Sequence, residues 1–134
     1  MFNVYGKGQN IQYAGVITKF IENISNGKPI EINGDGEQTR DFVSIFDVVA
    51  AFDCAIKNIE GKKGVIYNIG NGNSISVNKL VKMIQVIAEK KIEIKYKEEI
   101  LGEIKHSVAD VTLAKNELGF VSKRKLQDEL INLL

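Results

Sequence analysis

A chain of 134 residues makes one compact domain or part of a larger one, and its 44% apolar content is enough for a core. Lys and Arg number 18 against 17 Asp and Glu, so no general electrostatic pull toward nucleic acid is expected and a small anion must be caught by local donors. No apolar run approaches the roughly 20 residues of a membrane helix, residues 1–6 do not read as a signal peptide, and a lone Cys54 excludes an intramolecular disulfide. A cytoplasmic protein with Cys54 as a packed thiol fits these features.

Met1-Phe2-Asn3-Val4-Tyr5 reads as the tail of a strand. From Ala14 to Asn26, Ile17, Phe20, Ile21 and Ile24 recur at helical spacing, and Gly27 supplies the stop. Pro29 to Asn33 alternates like a short strand and runs into the turn Gly34-Asp35-Gly36. Arg40 to Val43 reads as a second short strand. Ser44 opens the next helix, with Asp47 three residues on in a capping-box pattern. Its apolar stripe is Val48, Val49, Phe52, Ile56 and Ile59.

Val65-Ile66-Tyr67-Asn68-Ile69 is almost continuously apolar, as a strand covered on both faces is. It ends in Gly70-Asn71-Gly72-Asn73, residues that tolerate positive φ. Ser76 caps a helix whose stripe is Val77, Leu80, Val81, Ile84, Ile87 and Ala88. Ile92, Ile94 and Tyr96 alternate as a strand. Asp110 or Thr112 opens a short helix closed at Gly119, and Leu126, Leu130, Ile131 and Leu134 make a last amphipathic one. Strands and helices alternate, so the class is α/β or α+β. A strand at 65–69 needs neighbours on both sides. The expectation is that it and the start of the chain belong to a sheet encoded mostly upstream; the alternative is a small self-contained α+β domain.

The common nucleotide loops are missing. The glycine pairs Gly6/Gly8, Gly34/Gly36 and Gly70/Gly72 are followed three residues on by Ile11, Thr39 and Ile75, so no G-x-G-x-x-G exists. Gly6-Lys7, Gly27-Lys28 and Gly61-Lys62 lack the Ser or Thr of a Walker loop. His106 and Cys54 alone make no zinc set. Four residues after each tyrosine stand Gln9, Ile17, Asn71 and Ile100, so the Tyr-x-x-x-Lys pair that yields a phenolate base is absent.

Six segments in order resemble the second half of the extended short-chain dehydrogenase/reductases, a family that includes UDP-glucose 4-epimerase and dTDP-glucose 4,6-dehydratase. They are Phe2-Asn3-Val4-Tyr5-Gly6, Tyr13-Ala14-Gly15-Val16-Ile17, Gly34 through Phe42, Asp47-Val48-Val49, Tyr67 through Gly72, and His106 through Asp110 with Ala114-Lys115. The stretch from Gly34 to Phe42 is the most specific. The resemblance implies an α/β fold: residues 1–134 as the C-terminal substrate-binding portion, with a few elements of an NAD(P)-binding Rossmann sheet. It also implies that NAD, the catalytic Ser or Thr and the Tyr-x-x-x-Lys base belong to a separate N-terminal half. NAD is not expected on this chain alone. The implied partners are a UDP- or dTDP-sugar, an N-terminal Rossmann partner chain, and further copies of the same chain, with no nucleic acid and no membrane.

Carried over residue by residue, Arg40 is the diphosphate contact, a rigid fork of donors suited to that group. Its alternative is an ion pair with Asp41 or Asp35. Asn3 matches the family Asn whose amide reaches the sugar-phosphate, or else caps the next turn. Glu31, Ile32 and Asn33 match the strand whose backbone meets the nucleotide base. Val16 and Ile17 line the substrate pocket, or form a helix core stripe. Where the family often has Arg-Pro-Gly-Asp, with a second phosphate-binding Arg, this chain has Ile100-Leu101-Gly102-Glu103, leaving Lys97 or Lys105 to compensate. The family Pro of the Val-Tyr-Gly turn is Lys7 here. Two readings follow: half of an enzyme, inactive by itself, or a non-catalytic binding or oligomerisation module on the same scaffold.

Overall fold

The computed structural model describes residues 1–10, 15–58, 60–61 and 63–134. Ile11, Tyr13, Ala14, Ile59 and Lys62, named above, lie outside the described residues. In chain order the elements are β1 (Asn3–Tyr5), α1 (Val16–Ser25), β2 (Ile30–Asn33), β3 (Thr39–Ser44) and α2 (Ile45–Asn58). Then follow β4 (Ser74–Ser76), α3 (Val77–Ile87), β5 (Ile94–Lys97), α4 (Thr112–Leu118) and α5 (Leu126–Leu133). One sheet has the order β1-β3-β4, with β1 parallel and β4 antiparallel to β3; a second pairs β2 and β5 in parallel. Registers place Asn3 opposite Phe42, Arg40 opposite Ile75, and Ile30 opposite Ile94. The mixed α/β class expected from the alternating pattern is the one observed.

Helix α1 buries Ile17, Phe20 and Ile24, one face of a 3.6-residue repeat. Its end is a full Schellman motif: the Lys28 N–H donates to the Asn23 carbonyl at 2.8 Å and the Gly27 N–H to Ile24 at 3.2 Å, with Gly27 at φ 65°. Helix α3 starts where Ser76 Oγ accepts from the Lys79 N–H at 3.2 Å, and it buries Val77, Leu80, Val81 and Ile84. These two helices, Ile30 and Ile32 of β2, Tyr5, Phe42 and Leu130 form the larger core. A smaller core joins Ala51 of α2 to Ala114, Leu118 and Phe120, with Cys54 packed against it as expected. Gly119 closes α4 in the left-handed region at φ 69°.

Four expectations are corrected. Residues 65–69 form no strand, and Ile66 is 86% exposed. Among the described residues its one backbone bond to another segment is the Phe2 N–H donating to the Ile69 carbonyl at 2.9 Å, and one such bond does not build a pleated pair. The stripe assigned to α2 is mostly turned out: Val49, Phe52 and Ile56 are exposed, while Val48 and Ala51 face in. Small residues (Ala51, Cys54, Ala55) let α2 approach α4 closely, so the bulky ones fall on the other side. Asp47 is not a capping-box partner of Ser44. Ser44 Oγ accepts from the Phe46 N–H at 3.3 Å, whereas the Asp47 carboxylate accepts from Ser122 Oγ at 2.7 Å and from the Lys123 and Arg124 N–H groups. Ile131 and Leu134 of the expected last stripe are also exposed, leaving Leu130 as the buried anchor of α5.

The core assignment predicts that Leu80→Ala, at a fully buried position, lowers stability by about 2–5 kcal/mol. Val86→Ala on the exposed face of the same helix should change it by less than about 0.5 kcal/mol. Urea unfolding of the two variants measures both, and equal losses would contradict the packing described.

Candidate functional site

Strand β3 alternates its side chains between two environments. Asp41 is fully buried, and its carboxylate accepts from the backbone N–H groups of Asn71 at 2.7 Å, Gly72 at 2.9 Å and Ala109 at 3.1 Å. A side chain at Gly70 would overlap Ala109 Cβ and come within 3.0 Å of Asp41 Oδ2, so only glycine lets this loop reach the carboxylate. Arg40, one residue earlier, points the other way. Its Nη1 donates to the Thr39 carbonyl at 2.9 Å and its Nη2 to Glu103 Oε1 at 2.8 Å. The ion pair weighed for Arg40 therefore exists, but with Glu103 rather than Asp41 or Asp35. Asp35 instead caps its own turn, accepting from the Glu37 N–H at 2.9 Å.

Arg40 faces a cavity of about 440 Å³ between α1, the edge of β2 and the start of β3. Asn3, Val16, Glu31, Ile32, Asn33 and Arg40, six of the seven residues singled out from sequence, line it. Ile17 does not. It is 2% exposed inside the larger core, because one step along a helix turns the side chain about 100° away from Val16. Sequence reasoning missed Lys19, Phe20, Asn23, Gln38 and Glu103, which line the same cavity. The α1 residues were findable, since 16, 19, 20 and 23 share one helical face.

Within the cavity the polar groups are already organised. Asn3 Nδ2 donates to the Asp41 carbonyl at 3.1 Å and so ties β1 to β3 just beside Arg40. The Ile30 and Gly34 N–H groups bond the carbonyls of Glu93 and Lys97. By the period of a parallel ladder, the backbone groups of Glu31 and Asn33 therefore face the open edge of β2. Gln38 Nε2 takes the Asn33 carbonyl at 2.8 Å. The turn Gly34–Gly36, with φ 69° and 77°, is clamped to the start of α3: Asn78 Nδ2 donates to the Asp35 carbonyl at 2.9 Å and to Glu37 Oε1 at 2.6 Å.

The cations named as substitutes for a second arginine are both held in ion pairs. Lys97 pairs with Glu31 at 2.6 Å and Lys105 with Glu99 at 3.1 Å. Among the described residues, Lys19 on the cavity wall has no ion pair. Burial, aided by Glu129 and Asp47, pushes the Tyr5 phenol well above its ordinary value. Burial and the hydrogen bond to Glu117 raise that of Tyr67, and the Thr112 hydroxyl and N–H lower the Asp110 carboxyl. None of these three lines the cavity. No group of His, Cys, Asp and Glu side chains among the described residues is arranged to hold a metal ion, and no helix among them is long and apolar enough to cross a membrane.

Residues 1–70 match the model of the NAD dependent epimerase/dehydratase family. The chain belongs to that family. It is 38% identical over 133 residues to the dTDP-4-dehydro-6-deoxyglucose reductase of Escherichia coli, covering 98% of this chain and 42% of that protein. The UDP-glucose 4-epimerase of Thermotoga maritima, solved with UDP-glucose, superposes with a TM-score of 0.88 at 37% identity, over 97% of this chain and 41% of that one. MoeE5, solved with UDP-glucose and NAD, does so with a TM-score of 0.88 at 32% identity, over 98% and 44%. The chain thus spans about two fifths of the length of these relatives. Its parallel-sheet α/β architecture is that of part of a Rossmann-type epimerase.

The Asp41 arrangement yields a direct expectation. Asp41→Ala leaves three backbone N–H groups without their acceptor, at about 1–3 kcal/mol each when buried. The variant should lose at least about 3 kcal/mol of stability in chemical denaturation. A loss comparable to that of an exposed substitution would show that the carboxylate does not hold this loop.

Proposed function

We propose that residues 1–134 are the substrate-binding portion of an NAD-dependent nucleotide-sugar epimerase or dehydratase, most like UDP-glucose 4-epimerase. The observation that carries this reading is the single cavity in which Asn3, Val16, Glu31 to Asn33 and Arg40 meet from four separate segments. A nucleoside diphosphate sugar has three parts, and the cavity offers a counterpart to each. The open edge of β2 presents backbone donors and acceptors to a base, in a manner that depends little on the side chains of Glu31 and Asn33. Arg40 supplies a planar guanidinium for the diphosphate, and Lys19 adds a compact cation on the same wall. Val16, Phe20 and Val77 give the apolar flank. The ligands named for the solved relatives, UDP-glucose among them, have this composition.

The dinucleotide does not fit this chain's own residues, since no G-x-G-x-x-G precedes any helix and no Tyr-x-x-x-Lys is present. In this reading NAD and the proton-transfer base belong to a separate Rossmann half, and no chemical step is assigned to residues 1–134. The exposed stripe Ile45, Val49, Phe52 and Ile56 on α2 supports such a partner, because an apolar face this continuous is normally covered. Left uncovered, it favours association of the chain with further copies of itself.

Two measurements test the proposal. The purified chain should turn over no UDP- or dTDP-sugar and reduce no NAD, and turnover free of host enzyme would contradict the assignment. In calorimetric titration with UDP-glucose, Arg40→Ala should weaken binding about ten-fold or more, as expected for loss of a charge-assisted bidentate contact. Equal affinities would remove Arg40 from the site.

A further inference from the structure

The carboxylate that holds Arg40 comes from a segment with little else to hold it. Residues 98–104 bridge β5 and the start of β3, and both ends are fixed. Upstream, the Gly34 N–H donates to the Lys97 carbonyl at 3.0 Å. Downstream, the Thr39 N–H donates to Lys105 at 2.7 Å and the Ser107 N–H to Thr39 at 3.2 Å. Between these anchors the Glu103 N–H closes a turn on the Ile100 carbonyl at 3.1 Å, with Gly102 at φ 83°, the conformation that a type II turn requires at its third position. Leu101, at the tip, is fully exposed. Among the described residues, the Glu103–Arg40 pair is the one hydrogen bond or ion pair joining residues 98–104 to the body of the fold. Glu99 pairs only with Lys105, at the foot of the same strap.

Both members of that pair line the cavity, and their side chains are only 29% and 17% exposed. Glu103 therefore places a negative charge on the guanidinium that an incoming anion would use. A diphosphate and the Glu103 carboxylate compete for one Nη2, and two anions do not share it without repulsion.

We propose that the Arg40–Glu103 pair is a latch: Glu103 holds the guanidinium in the ligand-free chain, and a diphosphate group displaces it and releases the strap 98–104. This rests on the reading of the cavity as a nucleotide-sugar site and adds the means by which that site sets its affinity. In the latched state the Glu103 carboxylate neutralises the guanidinium and holds one Nη2 proton, so anion binding through Arg40 is weakened and apparent affinity falls with the latched fraction. Nη1, held by the Thr39 carbonyl, keeps the guanidinium plane in place while Nη2 changes partner.

The test uses inorganic pyrophosphate, titrated calorimetrically into the chain and into Glu103→Gln and Glu99→Gln. Glu103→Gln should bind pyrophosphate roughly three- to ten-fold more tightly than the parent, the range expected for freeing a partly exposed ion pair. Glu99→Gln removes the same charge from the same strap without touching Arg40, and should change affinity by less than about two-fold. Hydrogen exchange gives the second readout. Amides of residues 98–104 should exchange faster in ligand-free Glu103→Gln, and in the parent only after pyrophosphate is added, while those of α3 stay unchanged and report an intact fold. Equal gains in the two variants, no gain in Glu103→Gln, or strap exchange indifferent to both the mutation and the ligand would each overturn the latch. Failure of the site reading looks different: UDP-glucose binding would then be indifferent to Arg40→Ala, while strap release in ligand-free Glu103→Gln would still be judged by exchange.

Discussion

Arg40 and Asn3 reach the cavity from β3 and from its neighbour β1, and β3 is held by a carboxylate buried at its centre. Asp41 gathers three backbone N–H groups from two stretches without regular structure, around Gly70 and Ala109, and its own carbonyl receives the Asn3 amide. A buried charge of this kind is tolerable only when fully hydrogen-bonded, and removal of its partners is more costly than their net contribution. That asymmetry makes the position of β3 sharply defined. Because neighbouring residues on a strand face opposite ways, the inward commitment of Asp41 presents Arg40 outward to the cavity. The pair thus divides two positions, Asp41 anchoring the loops and Arg40 facing the cavity.

Asp47 repeats the device at the start of α2. Its carboxylate receives Ser122 Oγ and the Lys123 and Arg124 N–H groups, fixing the approach to α5. Between residues 63 and 73, and again between 119 and 125, this part of the fold has no strand or helix. Carboxylate-to-amide bonds hold these loops where a sheet ladder is missing. The family match extends through residue 70 and so includes Asp41 and Asp47.

Elements whose stability is local were readable from sequence. Helices α1 and α3 carry complete apolar stripes and recognisable ends at Gly27 and Ser76, and β2 alternates cleanly. Errors arose where a distant partner decides the outcome. The run 65–69 has the composition of a central strand, but among the described residues its one backbone bond to another segment is that from Phe2, just before β1, to Ile69. Val49, Phe52 and Ile56 were assigned inward as part of an apolar stripe at helical spacing, yet α2 packs on α4 through alanines. Asp47 fits a capping box by spacing, and only the chain 75 residues later shows what it binds. The site divides in the same way. Residues carried by one motif or one strand do line the cavity, and Ile17, one helical step from Val16, takes the core-stripe role that stood as its alternative. Glu103 stands 63 residues from Arg40, and nothing in the local pattern of either announces the other.

The central claim is that one cavity, framed by β2, α1 and Arg40, receives the nucleotide-sugar. An amide and arginine side-chain NMR map of the chain titrated with UDP-glucose tests it most directly. The account predicts that perturbations concentrate at Asn3, at Val16 to Asn23, at Glu31 to Asn33 and at the Arg40 Nε–H, with the surface beside Lys79 and Lys82 silent. Perturbations centred on that Lys79–Lys82 surface or on α2, with Arg40 unmoved, would contradict it.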